Sequence, residues 1–267
     1  SQELYIPGAP LGEENPLPVF RNPNHHKPVH FLDSVPADRR ALAGYDAGYR
    51  VLPYRMQDNY TRRRQPLAFR SVVLENDLLK ATFLPELGAR LISLQYKPQQ
   101  RELLARNPIF QPANLAIRNA WFSGGIEWNC GQYGHALSTC SPVFAAEIHT
   151  EDGEPGLRIY DFERCKGLFW QIDFRLPPGS PFLIAYCRVI NPNLAESSVY
   201  WWNNIAVTEK ADVRVLAPSQ QVIYVDFSQE QQSYGYGTMP RLPTTEGRDA
   251  SYATNFTFAS EYFFQCE

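Results

Sequence analysis

The sequence predicts an all-β protein built from antiparallel strands. Short apolar runs recur along most of its 267 residues and are rich in aromatic and β-branched side chains, which favour strands. Proline, glycine, asparagine and aspartate cluster between these runs, as they do in turns. No long segment repeats its apolar residues every 3.6 positions, as an amphipathic helix would. Many short strands at roughly even spacing are typical of a sandwich or a barrel.

The N-terminal region, residues 1–65, differs from the rest in composition. Its stretch "PGAPLGEENPLPVFRNPNHHKPVHF" is dense in proline, which interrupts helices and strands alike. We therefore expect an extended arm that wraps the body of the protein. One short helix is predicted within "VPADRRALAGY", and the β domain is predicted to cover residues 66–267.

The strands of that domain are predicted from runs bounded by turn residues. The segment "FRSVVLENDLLKATFLPELGARLISLQYK" contains two or three strands, separated by turns at residues 75–77 and 85–88. Further strand candidates are 143–149, 157–163, 168–176 and 181–190. The stretches "SSVYWWNNIAV", "VRVLAPSQQVIYVDF" and "YATNFTFASEYFFQ" are also rich in aromatic and β-branched residues and are predicted to contain strands.

Charge and cysteine content exclude several classes of function. The net charge of −3 offers no electrostatic footprint for nucleic acid or an anionic membrane. No apolar run approaches the roughly 20 residues of a membrane helix. The five cysteines are scattered and show no zinc-site spacing. We expect a cytoplasmic protein with buried free thiols and without a metal, a cofactor, a nucleic-acid partner or a membrane partner.

The segment 121–142, "WFSGGIEWNCGQYGHALSTCSP", has neither helical nor strand periodicity. It places two tryptophans and several hydrogen-bonding side chains between glycines. A solvent-exposed linker does not need the tryptophans, and a core strand does not need Glu, Asn, Gln and His. We interpret it as an irregular segment that carries function.

Three stretches together resemble the galactose-mutarotase-like superfamily, which includes the aldose 1-epimerases. "LENDLLKATFLPELGARLISL" resembles its opening hairpin. "WFSGGIEWNCGQYGH" is similar to the Gly-Gly turn and catalytic histidine of sugar-6-phosphate epimerase relatives, and "YWWNNIAV" to the strand that carries the second histidine. Within the superfamily, residues 45–267 most resemble an uncharacterised bacterial domain family often found ahead of tetratricopeptide-type repeats.

This resemblance implies an antiparallel β-supersandwich whose concave face binds a sugar. A sugar ring presents an apolar C–H face and a rim of hydroxyls, so its site needs flat aromatic groups beside convergent donors and acceptors. Glycines let the backbone approach the ligand. The segment 121–142 supplies all three. A carbohydrate is therefore the expected partner, and a helical-repeat region or a second chain that completes the sheet is a further one.

The resemblance also implies two catalytic candidates. His135 matches the first epimerase histidine, although a loop histidine that caps a turn would look the same. Glu127 follows the Gly-Gly turn, and it could accept hydrogen bonds from sugar hydroxyls or act as an acid or base. A carboxylate bonded to nearby loop amides explains Glu127 equally well.

Six further residues are substrate-binding candidates: Arg90, Trp128, Asn129, Gln132, Trp202 and Asn204. For Asn129 and Gln132, bracing of the loop is the favoured alternative. A structural salt bridge would explain Arg90 as well as ligand binding does. Side chains alternate along a strand, so one tryptophan of the Trp201–Trp202 pair should face the core while the other shares a face with Asn204.

Two departures from the epimerase pattern keep several functions open. Trp202 stands where epimerases have their second histidine, and tryptophan has no proton chemistry at neutral pH. The glutamate base that epimerases carry on a late strand has no counterpart before "EYFFQCE". We expect the chain to lack closing strands, which a longer protein or a second chain would supply. The leading hypothesis is a carbohydrate-binding domain. The alternatives are an epimerase or glycoside-processing enzyme that uses His135 and Glu127, and a structural module that packs against a helical-repeat region.

Overall fold

The computed structural model describes residues 2–20, 30–40, 50–131, 134–151, 153–216, 219, 221–226, 233–238, 244–245, 248–249, 251–255 and 261–264. Internal contacts divide the chain into two compact units. The first consists of Ser1–Asn22 and Tyr49–Val207, and the second of Pro23–Gly48 and Thr208–Glu267.

Strands make up most of the regular structure. Those in the first half of the chain are β1 Gln2–Gly8, β2 Pro18–Phe20, β3 His30–Phe31, β4 Val51–Arg55, β5 Gln65–Glu75, β6 Leu79–Leu84, β7 Arg90–Tyr96, β8 Arg101–Glu102, β9 Ala113–Ala116, β10 Asn119–Trp121 and β11 Ile126–Cys130. Those in the second half are β12 Phe144–His149, β13 Pro155–Glu163, β14 Leu168–Arg175, β15 Ile184–Ile190, β16 Trp201–Ile205, β17 Gln221–Asp226, β18 Ser233–Thr238, β19 Thr244–Thr245, β20 Arg248–Asp249 and β21 Glu261–Phe264. Helical structure in the described residues is short: the α-helix α1 is Ala37–Arg40, and 3₁₀ turns are Pro85–Leu87, Lys97–Gln99 and Ala253–Asn255.

The first unit is a sandwich of two antiparallel sheets. The larger sheet has the strand order β1-β5-β6-β7-β11-β16, with β8 paired to β7, and the smaller has the order β12-β13-β14-β15. Their facing sides form one apolar core, in which the ring of Phe174 lies 4.6 Å from Phe83 and 5.2 Å from Trp128 between centroids. This core follows from the apolar alternation of β13 and β14, which places Leu157, Ile159 and Ile172 inward.

A second apolar cluster covers the other face of the larger sheet. It contains Leu84, Ile92, Phe110 and Phe122, with Ile6 from the N-terminal strand β1. Strand β1 pairs with β5 along its whole length, and β2 pairs with β4. The larger sheet is therefore covered on both faces, so polar side chains of its central strands are removed from water.

The second unit contains the sheet β21-β17-β18-β3, in which β3 runs parallel to β18 and the other pairs are antiparallel. The apolar run of Glu261–Phe264 is the strand that pairs with β17. Strands β19 and β20 form a separate two-stranded pair.

The structure confirms the predicted all-β class and its antiparallel sandwich. The four strands predicted between residues 143 and 190 coincide with β12 to β15 within a few residues. The short helix predicted in "VPADRRALAGY" is present as α1, and residues 41–49 lie outside the described part. Among the described cysteines Cys130, Cys140 and Cys165 are buried, whereas Cys187 is exposed, contrary to the expectation. No helix of the described residues is long and apolar enough to cross a membrane.

Candidate functional site

The segment 121–142 is more regular than its sequence indicates. Its centre is strand β11, which lies inside the larger sheet between β7 and β16. The interpretation of the whole segment as irregular was therefore wrong. Within β11 apolar and polar residues alternate over five positions, with Trp128 and Cys130 facing the sandwich core and Glu127 and Asn129 on the opposite face. That opposite face is buried as well, although it carries a charged residue and an amide.

The Gly-Gly turn sets the start of this strand. Gly125 has φ of +67°, and a Cβ atom there would lie 2.3 Å from the carbonyl oxygen of Leu91. Only glycine fits both the left-handed backbone and this close approach to β7. The turn also presents the carbonyl of Gly124 to the guanidinium of Arg90, whose Nη1 donates to it at 2.9 Å.

Arg90 and Glu127 form a buried ion pair on the face of the larger sheet away from the sandwich core. Arg90 Nη2 donates to Glu127 Oε2 at 2.8 Å, and each side chain is 2% exposed. The same nitrogen donates to the hydroxyl of Thr139 at 2.8 Å, and the guanidinium carbon lies 4.0 Å from the centre of the Phe122 ring. Arg90 therefore forms the structural salt bridge that was one of its two explanations, the other being ligand binding.

The carboxylate of Glu127 accepts hydrogen bonds from five side chains. Oε1 accepts from His135 Nδ1 and from Asn129 Nδ2; Oε2 accepts from Arg90 Nη2, from Trp121 Nε1 at 2.7 Å and from the Thr139 hydroxyl. Burial alone would raise the pKa of Glu127, but the hydrogen bond from His135 and the charge of Arg90 outweigh it and lower this pKa to about 2. The group is therefore an ionised acceptor without spare capacity for a ligand.

His135 lies at the open side of this network. An ionised carboxylate only accepts hydrogen bonds, so its Nδ1 carries the proton that is donated to Glu127. In the neutral imidazole Nε2 is then an acceptor, and it has no hydrogen-bond partner among the described residues. The ring packs against two indoles, with centroid distances of 4.9 Å to Trp121 and 5.2 Å to Trp202, and the side chain is 24% exposed.

Asn129 connects β11 to the loop that carries His135. Its Nδ2 donates to Glu127 Oε1 at 3.1 Å, and its Oδ1 accepts from the backbone N–H of Ala136 at 2.6 Å. A parallel bridge between Ala116 and His135 holds the other side of the loop. Asn129 is fully buried, so it positions His135 rather than a ligand. Gln132, which was grouped with it, lies outside the described residues.

A domain family described as "Domain of unknown function (DUF5107)" matches residues 47–255. The chain belongs to this family. A solved structure, that of a TPR-domain containing protein from Parabacteroides distasonis, is similar over 98% of this chain with a TM-score of 0.71 and 20% sequence identity. The chain spans 39% of the length of that protein, and at this identity the likeness shows the fold alone.

The other predicted site residues fall on two different faces of the sheet. Trp202 and Asn204 lie on β16 opposite Asn129 and Glu127 in the strand register, so they share the face of the ion pair. Both are half-buried, and the Trp202 Nε1 donor is buried without a hydrogen-bond partner in the part of the chain that the structure describes. Trp128 instead points into the sandwich core, where its Nε1 donates to the carbonyl of Ala89 at 3.0 Å.

Two contributors were absent from the predicted site. Trp121 both donates to Glu127 and packs on His135, and its position in the aromatic-rich segment was a usable signal. Thr139 bonds both members of the ion pair, and nothing in the sequence distinguishes it from an ordinary loop threonine. Within the described residues no group of three His, Cys, Asp or Glu side chains is arranged to hold a metal ion.

Proposed function

We propose that a carbohydrate binds beside His135 and Trp202, on the face of the larger sheet that carries Glu127. In this proposal the chain acts as a galactose-mutarotase-like sugar-binding domain of a carbohydrate-active protein. The sugar ring would pack against the exposed parts of Trp121 and Trp202. His135 Nε2 would accept a hydrogen bond from a sugar hydroxyl, and the half-buried amide of Asn204 would donate or accept another.

The observation that carries the proposal is the setting of His135. Its imidazole has one nitrogen fixed by a buried carboxylate and the other without a described partner, and the indole rings of Trp121 and Trp202 pack against it. A histidine that only braced a loop would not need a five-donor carboxylate to fix its tautomer and orientation. Aromatic surface beside an oriented polar atom suits the mixed character of a sugar ring.

Catalysis at the same site is the second candidate, and the Glu127–His135 contact favours it. A carboxylate that orients an imidazole through Nδ1 leaves Nε2 to take or give a proton. In this scheme His135 would transfer the proton. Glu127 would only orient the imidazole, since both oxygens of its carboxylate already accept hydrogen bonds. Tryptophan at position 202, in place of the second epimerase histidine, favours binding over turnover.

Binding is tested by titrating the protein with neutral sugars such as glucose, galactose and N-acetylglucosamine, followed by calorimetry or ligand-observed NMR. Trp202→Ala should weaken binding by about 1–3 kcal/mol if the indole stacks on a ring. Phe182→Ala is the matched control, because Phe182 is an exposed aromatic side chain (72%) of the same unit. Equal sugar affinity in the wild type and in a folded Trp202→Ala variant would contradict the proposal.

Turnover is tested separately by saturation-transfer NMR between the anomers of a free aldose. Faster exchange with the wild type, lost in His135→Gln, would establish the enzyme. If no sugar binds to the folded protein, the structural role becomes the leading one. Its partner would then be a helical-repeat region, since the similar Parabacteroides distasonis protein contains a TPR domain.

A further inference from the structure

A cavity of the first unit lies on the other side of β11 from the proposed sugar site. It is a cavity of about 580 Å³, which is within the size range of small-molecule sites. Its walls come from the β2–β4 pair, from β13 and β14, and from the loop that follows β11. Cys130 lines it from the core face of β11, opposite to the face that holds Glu127.

One part of the cavity wall is aromatic. Tyr54, Phe144, Phe162 and Trp170 line it, and Phe144 is largely exposed. The Tyr54 hydroxyl accepts from the backbone N–H of Arg164 at 2.8 Å, and the guanidinium of Arg164 lies 5.0 Å from the centre of the Tyr54 ring. Burial raises the pKa of Tyr54, so its hydroxyl stays protonated.

A set of charged side chains fixes the frame of the cavity. Buried Arg118 bonds Glu14, the carbonyl of Arg55 at 2.8 Å and the carbonyl of Leu137 at 3.2 Å. Glu163 is 3% exposed, and its two oxygens accept the backbone N–H groups of residues 165 and 166, each at 2.8 Å. These charges are satisfied by the protein and need no ligand.

Other polar groups of the cavity lack such partners within the described residues. Half-buried Asp161 accepts one hydrogen bond, from the backbone N–H of Phe162 at 2.8 Å, so a carboxylate has most of its acceptor capacity left. The guanidinium of Arg55 and the hydroxyl of Ser138 make no side-chain hydrogen bond there. Burial raises the pKa of Asp161, as expected for a carboxyl with few partners.

We propose that this cavity is a second carbohydrate-binding site, which takes one uncharged glycosyl unit. Its guanidinium and carboxylate side chains balance in number: Arg55, Arg118, Arg164, Glu14, Asp161 and Glu163. A cavity without net charge does not select an ion, whereas spare donors and acceptors beside aromatic rings match the hydroxyls and C–H faces of a neutral sugar. This argument does not use the first site, so either site can fail without the other.

The two sites share one loop. His135 and Thr139 of that loop face the ion pair, whereas Leu137 and Ser138 line the cavity. One segment therefore contributes to both sides of β11. The Ala136 amide, bonded to Asn129, reports on the first site, whereas amides of β13 and of the turn after it report on the cavity.

The test is a ¹⁵N NMR titration of the full chain with glucose, galactose and N-acetylglucosamine up to tens of millimolar. We expect saturable shifts of the Phe162 and Cys165 amides, with a dissociation constant different from the one reported by the Ala136 amide. Asp161→Asn should weaken binding at the cavity about tenfold or more, the usual effect of losing a hydrogen bond to a charged group. It should leave the Ala136 titration unchanged.

Two further variants keep the result interpretable. Arg55→Gln changes an exposed side chain, so it preserves the fold, and it should also weaken the cavity titration. Glu147→Gln alters an exposed carboxylate of the same sheet (74% exposed) and should change neither titration. The proposal is overturned if no sugar moves the cavity amides, if Asp161→Asn binds as the wild type does, or if the zwitterions alanine and glutamine bind there in place of sugars.

Discussion

Replacing Glu127 by glutamine tests whether the buried ion pair organises the site. The change keeps the size of the side chain but removes its charge. Arg90 would remain 2% exposed without a counter-charge, and its Nη2 would lose a contact of 2.8 Å. Of the five donors that now converge on two carboxylate oxygens, at least one would face the amide NH₂ group of the new side chain.

The expected cost is large for an isosteric change. Breaking a buried pair by removing one partner typically costs about 3–5 kcal/mol, because it leaves an uncompensated buried charge. In a domain of this size each kcal/mol lowers the melting temperature by about 2–4 °C, so we expect a decrease of about 6–20 °C. Urea unfolding followed by tryptophan fluorescence would measure the free energy directly.

A surface pair supplies the control. Glu86→Gln alters a carboxylate that lies 3.5 Å from Arg70, a side chain that is 76% exposed, and should cost at most about 1 kcal/mol. The double variant Arg90→Met/Glu127→Gln should be more stable than Glu127→Gln alone, since it removes the unpaired charge. A loss below about 1 kcal/mol in Glu127→Gln, or additive losses in the double variant, would refute the reasoning.

Three further predictions follow from the same geometry. The pKa of Glu127 falls from 4.5 to about 2 on folding, so ionised Glu127 stabilises the folded state by up to about 3 kcal/mol. This stabilisation is complete above pH 4.5 and is lost as the pH falls towards 2. The stabilities of the wild type and of Glu127→Gln should therefore converge in acid-unfolding experiments. Trp121→Phe keeps the ring beside His135 but removes one donor to the carboxylate, and should cost about 1–3 kcal/mol in urea unfolding. Gly125→Ala combines a left-handed backbone with a Cβ 2.3 Å from the Leu91 carbonyl oxygen, and should cost about 2–5 kcal/mol; a neutral result would show that the turn can adjust.

The strands of the smaller sheet were predictable because each is a strand-length run of aromatic and β-branched residues bounded by turns, and part of β13 also alternates between a core face and an outer face. In β13, Leu157 and Ile159 are buried while Tyr160 is exposed, and the apolar run ends at a turn. Local sequence is then enough to identify a strand, since both the period and the turn residues agree.

Strand β11 also alternates, but over only five positions, and the glycines and polar residues on either side obscured this pattern. The alternation does not show that Glu127 and Asn129, on the face opposite the core, are buried as well. They are tolerated because Arg90 from β7 and the loop after β11 satisfy them. Arg90 is 37 residues away from Glu127, and the loop residues, although near in sequence, reach the two side chains only because the loop folds back over the strand. The segment 121–142 contains two tryptophans with different environments: Trp128 lies in the core and Trp121 lies beside His135. Their positions in the sequence did not show which of the two belongs to the site.

The role of Glu127 illustrates why the residues of this site must be considered through their partners. Its place after a Gly-Gly turn predicted either a ligand contact or a carboxylate bonded to nearby loop amides, whereas the five donors found around it are side chains. The group that can bond a ligand is then His135, because its Nδ1 is fixed by this carboxylate and its Nε2 has no described partner. Any substitution that releases Glu127 from Arg90 should therefore disturb the orientation of His135 as well as the stability of the sheet. Stability and the proposed ligand binding at this site would thus be coupled through a single carboxylate.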